Sequence, residues 1–158
     1  KMKKNQQGFS LIELLIVVVI IGIIAAIAIP NLLAARRGAN EGSAISSLRT
    51  LHGANVTYQA SVGGGKLFAT DLAALNTAGL IDATLAGATP SGTAKSGYTF
   101  NYAAVNNTNP ATFTTSTTFS GSGITATGTR SFFIDESGVI RGVVGAGPAT
   151  VSSDPVNN

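Results

Sequence analysis

The stretch FSLIELLIVVVIIGIIAAIAI, residues 9–29, decides how the rest of this chain is read. Its 21 residues are apolar apart from Ser10 and Glu13. As a helix rising about 1.5 Å per residue it is about 31 Å long, enough to cross the hydrocarbon core of a bilayer. An acid inside such a span costs about 2.5–3.5 kcal/mol on insertion scales, so Glu13 is expected to have a functional partner. Glu13 lies four residues after Phe9, directly behind a short basic segment that ends at Gly8.

The charge of the chain follows from that segment. Of ten Lys and Arg residues, Lys1, Lys3 and Lys4 precede Gly8, which leaves seven against seven acids. The net charge of +3 therefore belongs to the leader, and the remainder is neutral by side chains. This argues against a basic nucleic-acid-binding surface, and no direct nucleic-acid site is evident. Charged residues are 11% of 158, well under the usual quarter of a soluble domain, and the length fits one modest domain plus a membrane segment. With no cysteine, disulfides, thiol catalysis and thiolate metal sites are excluded.

Three readings of the N-terminus compete. A basic start followed by an apolar run has the outline of a secretory signal, and Ala26-Ile27-Ala28 could serve as its small-x-small cleavage site. A plain single-pass anchor is the second. Both leave the carboxylate of Glu13 without a role. The third rests on Gly8, Phe9, Glu13 and Pro30, which resemble the prepilin leader and N-terminal helix of type IV pilins and of type II secretion pseudopilins. The resemblance is strong from Lys3 to about Leu33 and fades beyond. It implies leader-peptidase cleavage between Gly8 and Phe9, N-methylation of Phe9, and subunit assembly through Phe9 and Glu13. It also implies a prepilin peptidase/methyltransferase and a pilus assembly machinery as partners, a homo-oligomeric helical filament, and no cofactor.

Cleavage after Gly8 removes all three leader lysines and creates a cationic amine at Phe9. An ammonium and a carboxylate about 4 Å apart attract by roughly 4 kcal/mol at an effective dielectric near 20. The amine can belong to the same helix or to a neighbour; the resemblance implies the neighbour. Before cleavage the lysines favour a cytoplasmic N-terminus, although Arg36 and Arg37 just past the span weaken the asymmetry.

Pro30 has no N–H and clashes with the carbonyl four residues back, and Gly22 weakens the helix ahead of it. The resemblance implies kinking or melting between Gly22 and Pro30 in a filament. For a lone subunit a gentle kink in one continuous helix is expected. Beyond it Ala44, Leu48, Leu51, Asn55 and Tyr58, with Ile45 beside them, recur at three- and four-residue spacing. The opposite side is expected to carry Glu41, Ser46, Ser47, Arg49, Thr50 and Thr57. The stripe is expected to pack on its own domain, whereas the first half, apolar all round, needs lipid or copies of itself.

The expected fold class is therefore α+β and pilin-like, a long N-terminal helix packed on a small antiparallel β-sheet. Residues 1–8 read as a basic leader, 9–30 as the transmembrane or filament-core helix, 31–59 as an amphipathic helix and 60–158 as a globular head. In the head, residues 71–78 read as a short capped helix. Tyr98, Phe100 and Tyr102 alternate with polar residues, Phe113 and Phe119 share a phase, and residues 130–134 and 139–144 flank the hairpin loop Asp135-Glu136-Ser137-Gly138. A three- or four-stranded sheet is expected.

Other motifs carry little. Gly63-Gly64-Gly65-Lys66 lacks the remaining residues of a phosphate loop. His52 has no ligand-spaced companion, and Asp135, Glu136 and Asp154 read as solvated turn acids rather than a calcium loop. Asn55-Val56-Thr57 and Asn106-Asn107-Thr108 match the glycosylation pattern, which arises easily in a chain this rich in Asn and Thr. Catalytic residues and metal ligands are expected to be absent, and an enzyme is the weakest reading. The expectation is a structural subunit of a type IV pilus, held in the inner membrane and then in an extracellular filament used for adhesion, motility or DNA uptake. The alternatives are a type II secretion pseudopilin, whose Tyr-Pro turn after the long helix is missing here, and a secreted or anchored binding module.

Overall fold

The computed structural model describes residues 9–156; Gly8 and the leader lie outside the described residues. The chain divides into two compact units, one ending at Ala35 and the other starting at Arg36. Helix α1 spans Leu11–Ser61, with Pro30 inside it. The one continuous helix expected for a lone subunit is observed, and it ends two residues later than position 59.

In the second unit two short helices follow, α2 (Leu72–Thr77) and α3 (Ala83–Ala86). Asp71 caps α2 by accepting from the Ala74 N–H at 2.7 Å, and Asp82 caps α3 by accepting from Leu85 at 2.6 Å. The sequence signal for α2 is therefore borne out, while α3, a single turn, carries too little periodicity to be read. The chain then forms strands β1 (Tyr98–Val105), β2 (Thr112–Phe119), β3 (Arg130–Asp135), β4 (Arg141–Val144) and β5 (Asp154–Pro155). They join in the order β1-β2-β3-β4-β5, each antiparallel to the next.

This is the expected α+β arrangement with one strand more than the three or four anticipated. Strand β5 is only two residues long and contains a proline at the sheet edge, where a missing donor is tolerated. Its Asp154 and Pro155 lie opposite Gly142 and Arg141, and Arg141 donates to the Ser153 carbonyl at 3.2 Å. Backbone pairing and one guanidinium thus fasten the C-terminal segment in a chain without cysteine.

The core forms where the apolar stripe of α1 meets the sheet. Ala44, Leu48, Leu51 and Ala54 share one buried cluster with Leu72, Leu75, Leu85, Tyr98, Phe100, Phe132 and Ile134. A smaller cluster joins Phe68, Ala111 and Phe113. Asn55 is fully buried and satisfied: its amide donates to the Leu51 carbonyl and its oxygen accepts from the Tyr102 hydroxyl at 2.7 Å. The Asn55-Val56-Thr57 pattern is therefore structural.

The helix corrects two expectations. Glu41 and Ser47, assigned to the outer side, are buried at 7% and 2% exposure. Glu41 lies two turns before Leu48 and Ser47 lies four residues before Leu51, so both fall on the buried stripe by helical geometry. Charge and polarity point these two side chains outward, whereas their spacing places them inward.

Candidate assembly site

The first described turn of α1 answers what Glu13 does within its own chain. Ser10 precedes the helix and its carbonyl accepts the first intrahelical bond, from Leu14 at 3.3 Å. The carboxylate of Glu13 turns back to accept the Ser10 backbone N–H at 2.9 Å on Oε2. Ser10-Leu11-Ile12-Glu13 thus has the serine-to-glutamate spacing of a capping box, and the return half of that box is made. An acid here also faces the positive end of the helix dipole. The serine–glutamate spacing that signals this box is legible in the sequence.

Around and beyond this turn the helix is bare. Phe9 is 83% exposed and Leu11 79%, and the Leu, Ile and Val side chains as far as Leu32 stay exposed. The helix is long and apolar enough to cross a membrane. Side chains Leu11, Leu14, Leu15, Val18 and Val19 line a shallow groove that is almost entirely apolar. Gly22 has open space where a Cβ would stand, so no contact among the described residues demands a glycine there. Pro30 deprives the Ala26 carbonyl of its usual donor, and the side-chain amide of the neighbouring Asn31 donates to the Ile27 carbonyl at 3.1 Å.

Phe9 and Glu13 therefore stand together at the head of the apolar segment, whereas Gly22 and Pro30 lie roughly 14 and 26 Å further along at about 1.5 Å per residue. Gly8 lies outside the described residues.

The second unit contains a polar clasp that the sequence did not announce. The Arg37 guanidinium donates to three carbonyls of the turn after β2: Gly123 at 2.8 Å, Ile124 at 3.2 Å and Ala126 at 3.1 Å. Asn40 donates to the Thr127 carbonyl at 2.8 Å. Glu41 accepts from the Thr129 N–H at 2.8 Å, from the Thr129 hydroxyl, and from Arg130 Nε at 3.0 Å. Burial by itself would raise the Glu41 carboxyl, but the Thr129 and Arg130 hydrogen bonds outweigh it and hold the group below the ordinary 4.5. Burial, helped by the Glu41 charge, pushes the Tyr98 phenol well up, and its hydroxyl donates to the Arg130 carbonyl at 2.7 Å. No residue type predicts this constellation, because its partners lie 86 to 89 positions apart.

The remaining candidates are accounted for locally. His52 Nε2 lies 3.4 Å from the Glu136 carbonyl and its ring sits 6.0 Å from that of Phe113. Asp135, expected to be solvated, is 9% exposed and accepts the Ser137 N–H at 3.0 Å and the Ser137 hydroxyl. It closes the β3–β4 turn, which explains its burial. Glu136 and Asp154 are exposed. Among the described residues no group of three or more His, Asp or Glu side chains is placed to hold a metal ion.

Comparison with known proteins concentrates on the same segment. Residues 3–29 match the prokaryotic N-terminal methylation motif. The chain is 66% identical over 38 residues to the type IV wide pilus major component PilA4 of Thermus thermophilus, covering 24% of this chain and 29% of that protein. It is 37% identical over 57 residues to the type II secretion system core protein G of Aeromonas hydrophila, covering 36% and 40%. Its similarity to the type IV major fimbrial protein FimA of Dichelobacter nodosus is more extensive, 40% identity over 100 residues, 56% of this chain and 62% of that one. The chain thus covers less than two thirds of the length of each of these relatives. No solved structure matches.

Proposed function

We propose that this chain, which carries the N-terminal methylation motif and resembles type IV pilins and secretion core protein G, is a structural subunit of a type IV pilus. The observation that carries the reading is an exposed apolar helix with a single acid in its first turn. Such a surface is stable only in lipid or against other apolar helices. Before assembly the helix rests in the inner membrane with the leader on the cytoplasmic side. A prepilin peptidase/methyltransferase cuts after Gly8 and methylates the new amine of Phe9. The assembly machinery then moves the subunit from lipid into an extracellular filament, whose core is built from copies of residues 9–30 and whose surface is built from the head. The ammonium of one subunit and Glu13 of another neutralise each other, which sets their register. Gly22 and Pro30 supply the weak stretch over which the helix can lengthen. No enzymatic step is assigned to the chain, and adhesion, motility or DNA uptake belongs to the fibre.

The pilus is preferred to a secretion pseudopilus because the similarity to a fimbrial protein extends over 100 residues, whereas the similarity to secretion core protein G extends over 59 at most among these relatives. The test has two arms. Mass measurement of the mature chain is expected to give an N-terminus at methylated Phe9; an N-terminus at Ile29 or Asn31 would support the secreted module instead. Glu13→Ala is expected to remain in the membrane and to yield few or no sheared fibres, and normal fibre yield removes the charge-pairing account.

A further inference from the structure

We propose that the backbone N–H of Ser10 is a positioning group for subunit pairing: it holds Glu13 by one carboxylate oxygen and leaves the other for the ammonium of a second copy. The inference rests on the assembly reading above and adds to it a residue that no part of that reading requires.

The geometry is specific to one oxygen. Oε2 of Glu13 accepts from Ser10 at 2.9 Å, and Oε1 has no hydrogen-bond partner among the described residues. The ion pair found among those residues lies elsewhere, between Arg130 and Glu41. A carboxylate can accept on both oxygens, so the backbone bond does not consume its capacity for a cation.

The bond matters because of where it lies. In hydrocarbon there is no water to satisfy a helix's first N–H groups, and each one left bare is costly. Glu13 satisfies the Ser10 N–H before any neighbour arrives, which gives the acid a reason to stay folded over the first turn. A free glutamate side chain would sample several rotamers; one anchored by Oε2 presents Oε1 in a restricted direction.

Register needs that restriction. Packing of all-round apolar helices is non-directional, so sliding one past another changes the buried area little. A fixed acceptor at a single residue gives the encounter one preferred position. In this account Ser10 does not touch the partner; it acts through Glu13.

The test uses the full chain expressed with its own machinery, together with the purified full chain in detergent micelles. Ser10→Pro removes the N–H while keeping a backbone suited to a helix start. It is expected to be processed and held in the membrane, with fibre yield lower by about tenfold or more. Amide exchange in micelles supplies an independent measurement. The Ser10 amide is expected to exchange slowly in the parent and in Glu13→Gln, which keeps the acceptor, and quickly in Glu13→Ala. Glu13→Gln is nevertheless expected to assemble as poorly as Glu13→Ala, because it lacks the charge.

Parental fibre yield from Ser10→Pro, or equal Ser10 exchange in the parent and Glu13→Ala, overturns the positioning role and leaves the assembly reading standing. Normal assembly of Glu13→Ala overturns both. The exchange measurement decides even where Ser10→Pro escapes processing, since it is made on the other variants.

Discussion

Two glutamates on one helix show how position determines the work of a residue. Glu13 is surrounded by exposed apolar side chains and uses one oxygen on its own backbone. Glu41 is buried and uses both, on Thr129 and Arg130. Glu41→Gln is expected to destabilise the head by about 1–3 kcal/mol at pH 7, the scale of losing charge-assisted hydrogen bonds at a largely buried site, read from thermal unfolding. The pH dependence follows from its lowered titration. A carboxyl held below 4.5 in the folded state contributes stability that is fully present above 4.5 and is lost as pH falls through the folded value. The parent and Glu41→Gln are therefore expected to differ most near neutrality and to converge in acid; a constant difference down to strong acid would contradict this. That Glu13 needs a partner could be anticipated from composition because a lone acid in an apolar run is conspicuous. The role of Glu41 could not, since an acid on an amphipathic helix ordinarily faces water.

Among the elements, α1 combines two different helices in one uninterrupted span. Its first part has no sided pattern and leaves its large apolar side chains exposed, and its second part carries the stripe from Ala44 to Asn55 that fills the core. Pro30 interrupts hydrogen bonding in the first part. Pro30→Ala restores that donor and is expected to stabilise the helix locally by up to about 3 kcal/mol, visible as slower amide exchange over residues 26–34 in micelles. If stretching between Gly22 and Pro30 accompanies assembly, the same variant is expected to form fewer fibres despite its stabler helix. In the head, Gly63 makes a turn that no other residue fits: a Cβ there would stand 2.0 Å from the Leu67 carbonyl oxygen. Gly63→Ala is expected to lower the head's thermal midpoint, a larger effect than at Gly53, where the space is open. The strand alternation of Tyr98, Phe100 and Tyr102 was legible because side chains on a half-buried strand repeat every two residues. Strand β5 was not, because two residues carry no period.

At the scale of the whole molecule, the two units have opposite requirements. The full mature chain is expected to need detergent and to associate without it, whereas a fragment starting at Arg36 is expected to be soluble, monomeric and cooperatively folded; sedimentation and thermal unfolding check both. An insoluble or unfolded fragment would mean that the head depends on the apolar segment. The sequence by itself determined a segment long and apolar enough to cross a membrane, the placement of Phe9, Glu13, Gly22 and Pro30 along it, and the α+β class of the head. These are one-dimensional properties, set by length, periodicity and the cost of a charge in hydrocarbon. Only the tertiary structure decided that Glu41 faces Arg130, that Arg37 holds the turn at residues 123–126, and that the last residues add a strand. Those contacts join positions far apart in the chain, where partner choice depends on which backbone groups the packed core leaves within reach.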